Sequence, residues 1–168
     1  TVYLMHQEPL IIAGADRDMA LYMQSSRHSD QVIGQVSGNY QVAHMEMFRD
    51  KVSHVIRDHY RSEMQNAVSD FFEKWGTGMA RCGLVDCWNA VEAGQGLKLL
   101  VERGYRSPLY RSPSGQFSIE NQTPGSVFMP DAVDDLMERT IRKGGTVQLI
   151  DNNLLATAQR VALILRYP

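Results

Sequence analysis

Arg103, Tyr105, Arg106, Tyr110 and Arg111 put guanidinium groups and aromatic rings on one short stretch of chain. These side chains suit single-stranded or looped RNA, with arginine against phosphate and a ring face against a base. The same residues also suit a flexible surface loop with no ligand, and both readings stay open at this level. Other reactive side chains are scattered. His44, His54 and His59 fall in one helical stretch, but His54 and His59 stand about 140° apart around a helix axis. They do not share a small ion as residues at i and i+4 can. His6 and His28 stand alone in the sequence. Asp131, Asp134 and Asp135 follow Pro130 at a predicted helix start, where carboxylates balance the helix dipole, so capping is their expected task. Lys143-Gly144-Gly145-Thr146 has the residue types of a phosphate loop in the wrong setting. Its order is helix, turn, strand, whereas a phosphate cradle needs strand, glycine loop, helix. Ser112-Pro113-Ser114-Gly115-Gln116 lacks the strand and helix that frame a nucleophile elbow. Cys82 and Cys87 are too few for a disulfide framework and have no other metal ligands beside them. They are expected to be half-buried thiols in a reducing cytosol. No cofactor, metal or self-contained catalytic set is expected.

The bulk properties agree with a binding role confined to a patch. The chain has 168 residues, 43% apolar, with a formal net charge of −2. That is enough for one ordinary core, or one domain with an attached piece. No global field draws it onto a phosphate backbone, so any nucleic-acid contact must be local. No apolar run has the length of a membrane span and no signal peptide opens the sequence, so no membrane partner and a cytoplasmic location are expected. The missing initiator Met and the strand-like "VYLM" start lead to the expectation of a fragment of a larger protein.

Spacing predicts the elements around the arginine-aromatic stretch. "PLIIAG" (9–14) is a strand bounded by Pro and Gly, and Asp16 is expected to cap the short helix "ADRDMALYMQ", with Met19, Leu21, Tyr22 and Met23 free to pack. Residues 24–43 read as a connector holding a short strand at "QVIG". From His44 to Trp75, apolar residues recur three or four apart, predicting one amphipathic helix on the order of 45 Å long. A helix of that length is expected to bridge two bodies. "LVDCWNAVEAG" (84–94) follows as a helix stopped by Gly94. "LKLLVE" (97–102) is a strand apolar enough to lie at the centre of a parallel sheet. Gly94 and Gly96 make the tight passage between the two, leaving Gln95 exposed at the turn. Residues 103–125 are expected to be a loop, "SVFM" a short strand, "PDAVDDLMERTIRKGG" a helix, and "TVQLID" and "VALILRY" strands. This alternation predicts an α/β domain with a mostly parallel or mixed sheet and helices on both faces.

The order of segments resembles the archaeal–eukaryotic class of peptide-chain release factors and Pelota, and most closely their bacterial relatives. The likeness runs through "PLIIAGADRDMALYM", the "SGN" connector, "MFRDKVSHVIRDHYRSEMQNAVSDFFEKWGTGMA", "GLVDCWNAVEAGQGLKLLVE" and "RKGGTVQLIDNNLLATAQRVALILRY". Its most specific parts are the "GG-V-L-I" strand and the closing "AxILRY", here Ala162 to Tyr167. The resemblance implies that 1–40 is the end of a middle-like domain with a connector, and that 41–76 is a long bridging helix. It implies that 77–168 is a C-terminal α/β/α sandwich of the kind shared with kink-turn-binding ribosomal proteins. In that family peptidyl-tRNA hydrolysis depends on a Gly-Gly-Gln loop of the middle domain. Gly94-Gln95 does not match that motif by position. Kink-turn binders place Gly-Thr-Asn-Glu-like residues where this chain reads "GTGMARCG", Gly76 to Gly83, without the Asn-Glu pair. The corresponding release-factor domain mainly docks a protein partner, often a translational GTPase.

The function expected from this is a non-catalytic binding or adaptor module of a bacterial release-factor-like protein, in contact with the ribosome, RNA or a protein partner. The alternative is part of a peptidyl-tRNA or other ester hydrolase whose catalytic loop lies upstream, this piece only positioning the substrate. A third reading is an oligomerisation piece, with the exposed side of the 44–75 helix as the seam.

Overall fold

A computed structural model describes residues 8–38, 45–120 and 123–168. The "VYLM" start, His6 and His44 lie outside these residues. The chain divides into two compact units, Thr1–Glu63 and Met64–Pro168.

In the first unit, β1 (Leu10–Gly14) and β2 (Val32–Ser37) pair in parallel, with α1 (Asp16–Ser25) as the crossover between them. Parallel neighbours cannot be joined by a tight hairpin, so the helix is what permits the pairing. The predicted strand at 31–34 is therefore longer than expected, and α1 extends to Ser25. Asp16 does not cap α1: the cap position is Ala15, without a side-chain bond, and the Asp16 carboxylate instead accepts a hydrogen bond from the Ser37 hydroxyl. Met19 is the buried residue of α1, while Leu21 is exposed. Gly34 of β2 sits so close to Val55 that no Cβ fits between them.

The division between the units falls inside α2 (Met45–Gly76), close to the predicted span of 44–75. Its apolar stripe is not buried along its length. Met64, Ala67 and Phe71 are buried, whereas Met45, Ile56, Tyr60, Phe72 and Trp75 are exposed. Periodicity marks the residues able to pack; a covering surface decides which of them do.

The second unit is the predicted α/β domain. Its main sheet has the order β3-β9-β4-β8, formed by Ala80–Cys82, Val161–Leu165, Gly96–Glu102 and Thr146–Ile150. β4 runs parallel to β8 and antiparallel to β9, which is also antiparallel to β3. Alternation along the two central strands feeds two cores. Leu99, Val101, Leu163 and Leu165 join Trp88 and Val91 of α3 (Leu84–Glu92) and Val133 and Leu136 of α4 (Ala132–Arg142). Leu100, Ala162 and Ile164 join Met64, Ala67 and Phe71 of α2. The result is a three-layer α/β/α arrangement. A strand covered on both faces is apolar at most positions, which is why "VALIL" and, apart from Lys98 and the terminal Glu102, "LKLLVE" lack a polar alternation.

The stretch 103–125 is not the loop that its Pro, Ser and Gly content predicts. It contains β5 (Leu109–Arg111) and β6 (Phe117–Ser118), which form a second, antiparallel sheet with β7 (Val127–Met129) in the order β6-β5-β7. Strands this short carry too few residues to show a period. Burial of Leu109 and Phe117 in the larger core anchors them.

The passage at 94–96 is the predicted punctuation. Gly94 has φ +79°, the left-handed region that glycine enters without strain. Its N–H donates to the Val91 carbonyl at 2.9 Å, and the Gln95 N–H donates to that of Ala90 at 3.0 Å. A Cβ on Gly96 would lie 3.2 Å from Val91 Cγ2 and 3.4 Å from a Leu163 methyl. Gln95 is half-buried rather than exposed: its backbone carbonyl accepts from Arg166 N–H, and its Nε2 donates to the Pro168 carbonyl.

Candidate functional site

The arginine-aromatic stretch begins where β4 leaves the main sheet. Glu102, the last residue of β4, is 2% exposed. Its carboxylate accepts from the Leu155 N–H at 3.0 Å and from Arg160 Nε at 2.9 Å. The Arg160 guanidinium also lies 4.8 Å over the Tyr105 ring. Gln159 and Arg160 hold φ of +58° and +69° to make this approach, a left-handed backbone that costs a non-glycine residue about 1–2 kcal/mol. Arg103 Nε lies 3.1 Å from Asp151, both side chains being more than half exposed. Arg106, 83% exposed, lies 3.5 Å from Asp131. Asp131 is the N-cap of α4 and accepts from the Asp134 N–H at 3.4 Å, the capping task expected of it.

Tyr110 and Arg111 lie farther along, on opposite faces of β5. Arg111 projects toward the core side, 5.7 Å over the Phe117 ring, which stacks at 4.7 Å on Trp88. Trp88 Nε1 donates to the Ala132 carbonyl at 2.9 Å. Tyr110 takes the other face and pairs with Phe128 at 5.1 Å. The five predicted residues are thus two groups: Arg103, Tyr105 and Arg106 at the exit of β4, and Tyr110 and Arg111 on the small sheet. Sequence reasoning missed Glu102, Arg160 and Phe128. Arg160 is 58 residues from Glu102, and the Tyr110–Phe128 pairing requires a register that strands of three residues do not announce.

Beside this region Glu92 on α3 meets α4. Arg139 Nε and Nη2 donate to its two oxygens at 2.9 and 3.1 Å, and Lys143 Nζ lies 3.4 Å away. The Arg139 hydrogen bonds hold the Glu92 carboxyl below its ordinary range, partial burial opposes this, and Lys143 adds to the lowering. Trp88, Glu92, Arg111, Phe117, Asp135 and Arg139 line part of a shallow 230 Å³ cleft. Cys87 is fully buried, not half-buried as expected, and burial raises its thiol pKa well above the usual value; Cys82 is half-buried. His59 forms an i,i+4 pair with Glu63 at 3.7 Å. Among the described residues no three His, Cys, Asp or Glu side chains form a metal-holding group. No helix among them is long and apolar enough to cross a membrane. Guanidinium and aromatic groups of this kind are the side chains that meet anions and flat rings.

Comparison with solved structures places the fold. The C-terminal domain of a peptide chain release factor from Methanosarcina mazei superposes with a TM-score of 0.57 at 18% identity, covering 73% of this chain and 93% of its own. Archaeal Pelota, in a model of ribosome-bound Pelota and ABCE1, gives 0.63 at 16% identity, over 95% of this chain and 43% of its own. Dom34 of S. cerevisiae, a translation termination-like factor involved in RNA quality control and interacting with Hbs1, gives 0.59 at 14% identity, over 96% and 47%. The chain therefore spans under half the length of archaeal Pelota and of Dom34, and at such identities the likeness is one of fold. No curated protein matches the sequence. A family model does match, over residues 1–95, more than half of the sequence, and the chain belongs to the bacterial archaeo-eukaryotic release factor family 3.

Proposed function

We propose that this chain is a non-catalytic binding module of a release-factor-like protein, working in the cytoplasm on the ribosome through RNA or protein contacts. Residues 1–40 are the end of a middle-like domain with its connector, 41–76 a bridging helix, and 77–168 the C-terminal domain that makes the contacts. The observation that carries this reading is the basic exit of β4, set on a fold shared with Pelota. Segment 103–130 holds Arg103, Arg106 and Arg111 with one acid of its own, Glu120, while Asp151 and Asp131 from outside the segment pair at the surface with Arg103 and Arg106. Arg103, Arg106 and Arg111 are exposed, so they can meet phosphates or an acidic surface. A translational GTPase is the protein partner that suits this domain. The test is cosedimentation of the full-length protein with ribosomes at moderate salt, with and without Arg103→Glu, Arg106→Glu and Arg111→Glu combined. Wild-type association that the triple variant loses is the expected result. No association by the wild type would sink the reading, and equal association by the variant would remove the site.

Membership of a release-factor family favours a second reading, that the whole protein hydrolyses an ester such as peptidyl-tRNA. Gln95 is tied into a turn by its own backbone and side chain, so on this reading the reactive loop lies upstream of this chain. Hydrolysis of peptidyl-tRNA by the full-length protein, unchanged by Gln95→Ala, is what it requires; absence of hydrolysis excludes it.

A further inference from the structure

The main sheet ends on one side in β8, which has no neighbouring strand on its outer edge. Natural edge strands are blunted by lysine, proline, a bulge or shortness. β3, the opposite edge, has three residues and carries Arg81. β8 has five, Thr146-Val147-Gln148-Leu149-Ile150, with no charge, no proline and an unbroken register against β4. The Arg103 N–H donates to the Ile150 carbonyl at 2.8 Å, so Ile150 turns its backbone groups toward β4. Alternation turns those of Thr146 and Gln148 the same way and those of Val147 and Leu149 outward. Among the described residues nothing hydrogen-bonds to the outward backbone groups of Val147 and Leu149. The edge is also apolar in its side chains. Leu149 is 43% exposed. α4 lies over β4 and β8, with Arg139 turned to Glu92 of α3. Ile141, 60% exposed and about 200° around the helix from Arg139, therefore flanks the β8 side.

We propose that β8 pairs with β8 of a second copy of this chain, antiparallel about a two-fold axis through Gln148, joining their main sheets into one. The backbone is self-complementary in this register. Val147 faces Leu149 of the other copy, and each such pair exchanges both of its N–H···O bonds. Val147 and Leu149 of both copies then form one apolar row on the α4 face, extended by Ile141. Charge selects the second copy and the antiparallel sense. Asp151, just past one end of β8, comes opposite the Gly144-Gly145 turn of the other copy. There the Arg166 guanidinium, held by the Gly96 and Gly144 carbonyls, has no carboxylate partner among the described residues. Asp151 offers its second oxygen, since Oδ1 is bonded to Arg103. A parallel pairing would instead set Asp151 against Asp151. A net charge of −2 adds little repulsion between copies. An edge of five residues is narrower than the roughly 1,200 Å² of a stable interface, so the dimer is weak, with a dissociation constant between about 1 μM and 1 mM.

The experiment is sedimentation velocity of the full-length protein from about 10 μM to about 1 mM, with oxidative cross-linking of two cysteine variants. On the two-fold axis Gln148 faces itself as a non-hydrogen-bonded pair, with Cα atoms about 4.5 Å apart, within disulfide reach. Gln148→Cys should therefore give a covalent dimer on mild oxidation, reversed by a thiol reductant. Thr146→Cys should not, because antiparallel pairing sets the two copies of residue 146 roughly 13 Å apart along the strands. The wild type, with Cys82 and Cys87, gives the background. Leu149→Lys adds like charges along the seam and should weaken the dimer about ten-fold. Lysine is a natural edge-strand residue, and a thermal melt checks that the variant is folded. A wild type that stays monomeric to about 1 mM overturns the proposal. So does a dimer that Leu149→Lys leaves unchanged, which would place the seam elsewhere, such as the outer side of α2. Cross-linking by both cysteine variants alike, or by neither, also overturns it.

Discussion

Glu102 is a carboxylate almost without water around it, and Arg160 reaches it only from a left-handed backbone. Removing the arginine leaves a buried charge with one remaining donor, the Leu155 N–H. Arg160→Met should therefore lower stability by about 3 kcal/mol, read from the urea midpoint. Glu102→Met with Arg160→Met should recover part of that loss, because the pair is then replaced by apolar bulk. An equal loss in both variants would mean that the packing of Arg160 over the Tyr105 ring, not the buried charge, carries the cost. Glu92 gives a pH-dependent counterpart. Its folded pKa is lowered, first by the Arg139 hydrogen bonds, so its contribution is fully present above the ordinary glutamate value of about 4.3. The contribution fades as pH falls through the lower folded value. The melting temperature of Glu92→Gln should lie below wild type near neutrality, and the gap should close below about pH 4. A gap independent of pH would show that Glu92 acts through packing alone.

Legibility at the element scale followed from how many neighbours constrain each segment. "LKLLVE" and "VALILRY" were readable because a strand covered on both faces leaves few polar positions, and the structure places both at the centre of the sheet. The small strands at 109–111 and 117–118 were not, since two or three residues carry no period and the surrounding Pro and Ser spell loop. The site suffered for the same reason. The arginines were visible by type, whereas the groups they meet, Asp151, Asp131 and Phe117, come from other segments brought together by the fold. Helix α2 shows the converse: its periodicity was legible, but only Met64, Ala67 and Phe71 are buried. Phe71→Ala should accordingly cost about 3–5 kcal/mol, while Met45→Ala, at 74% exposure, should stay within about 0.5 kcal/mol. The passage into β4 is as sensitive. A methyl at position 96 meets Val91 and Leu163 at 3.2 and 3.4 Å, so Gly96→Ala should cost about 1–3 kcal/mol. Chemical denaturation reads all three, and a stable Gly96→Ala would mean that the α3–β4 packing yields more readily than its geometry implies.

For the molecule as a whole, the balance of charge sets what kind of nucleic-acid contact is physically available. A net charge of −2 on 168 residues opposes any broad wrapping of phosphate, and attraction must be concentrated where segment 103–130 departs from that average. Each phosphate neutralised on a single strand contributes about −0.7 to the slope of log affinity against log salt, so contacts by three arginines predict a slope of about −2. Titrations of single-stranded RNA at several ionic strengths, well above the low-salt range where surface charge is exaggerated, provide the value. A slope near that figure agrees with one local patch. A slope several units steeper would require basic groups far beyond this segment, and the contact would then belong to a larger surface than the exit of β4. A flat slope with retained affinity would remove the arginines from the contact.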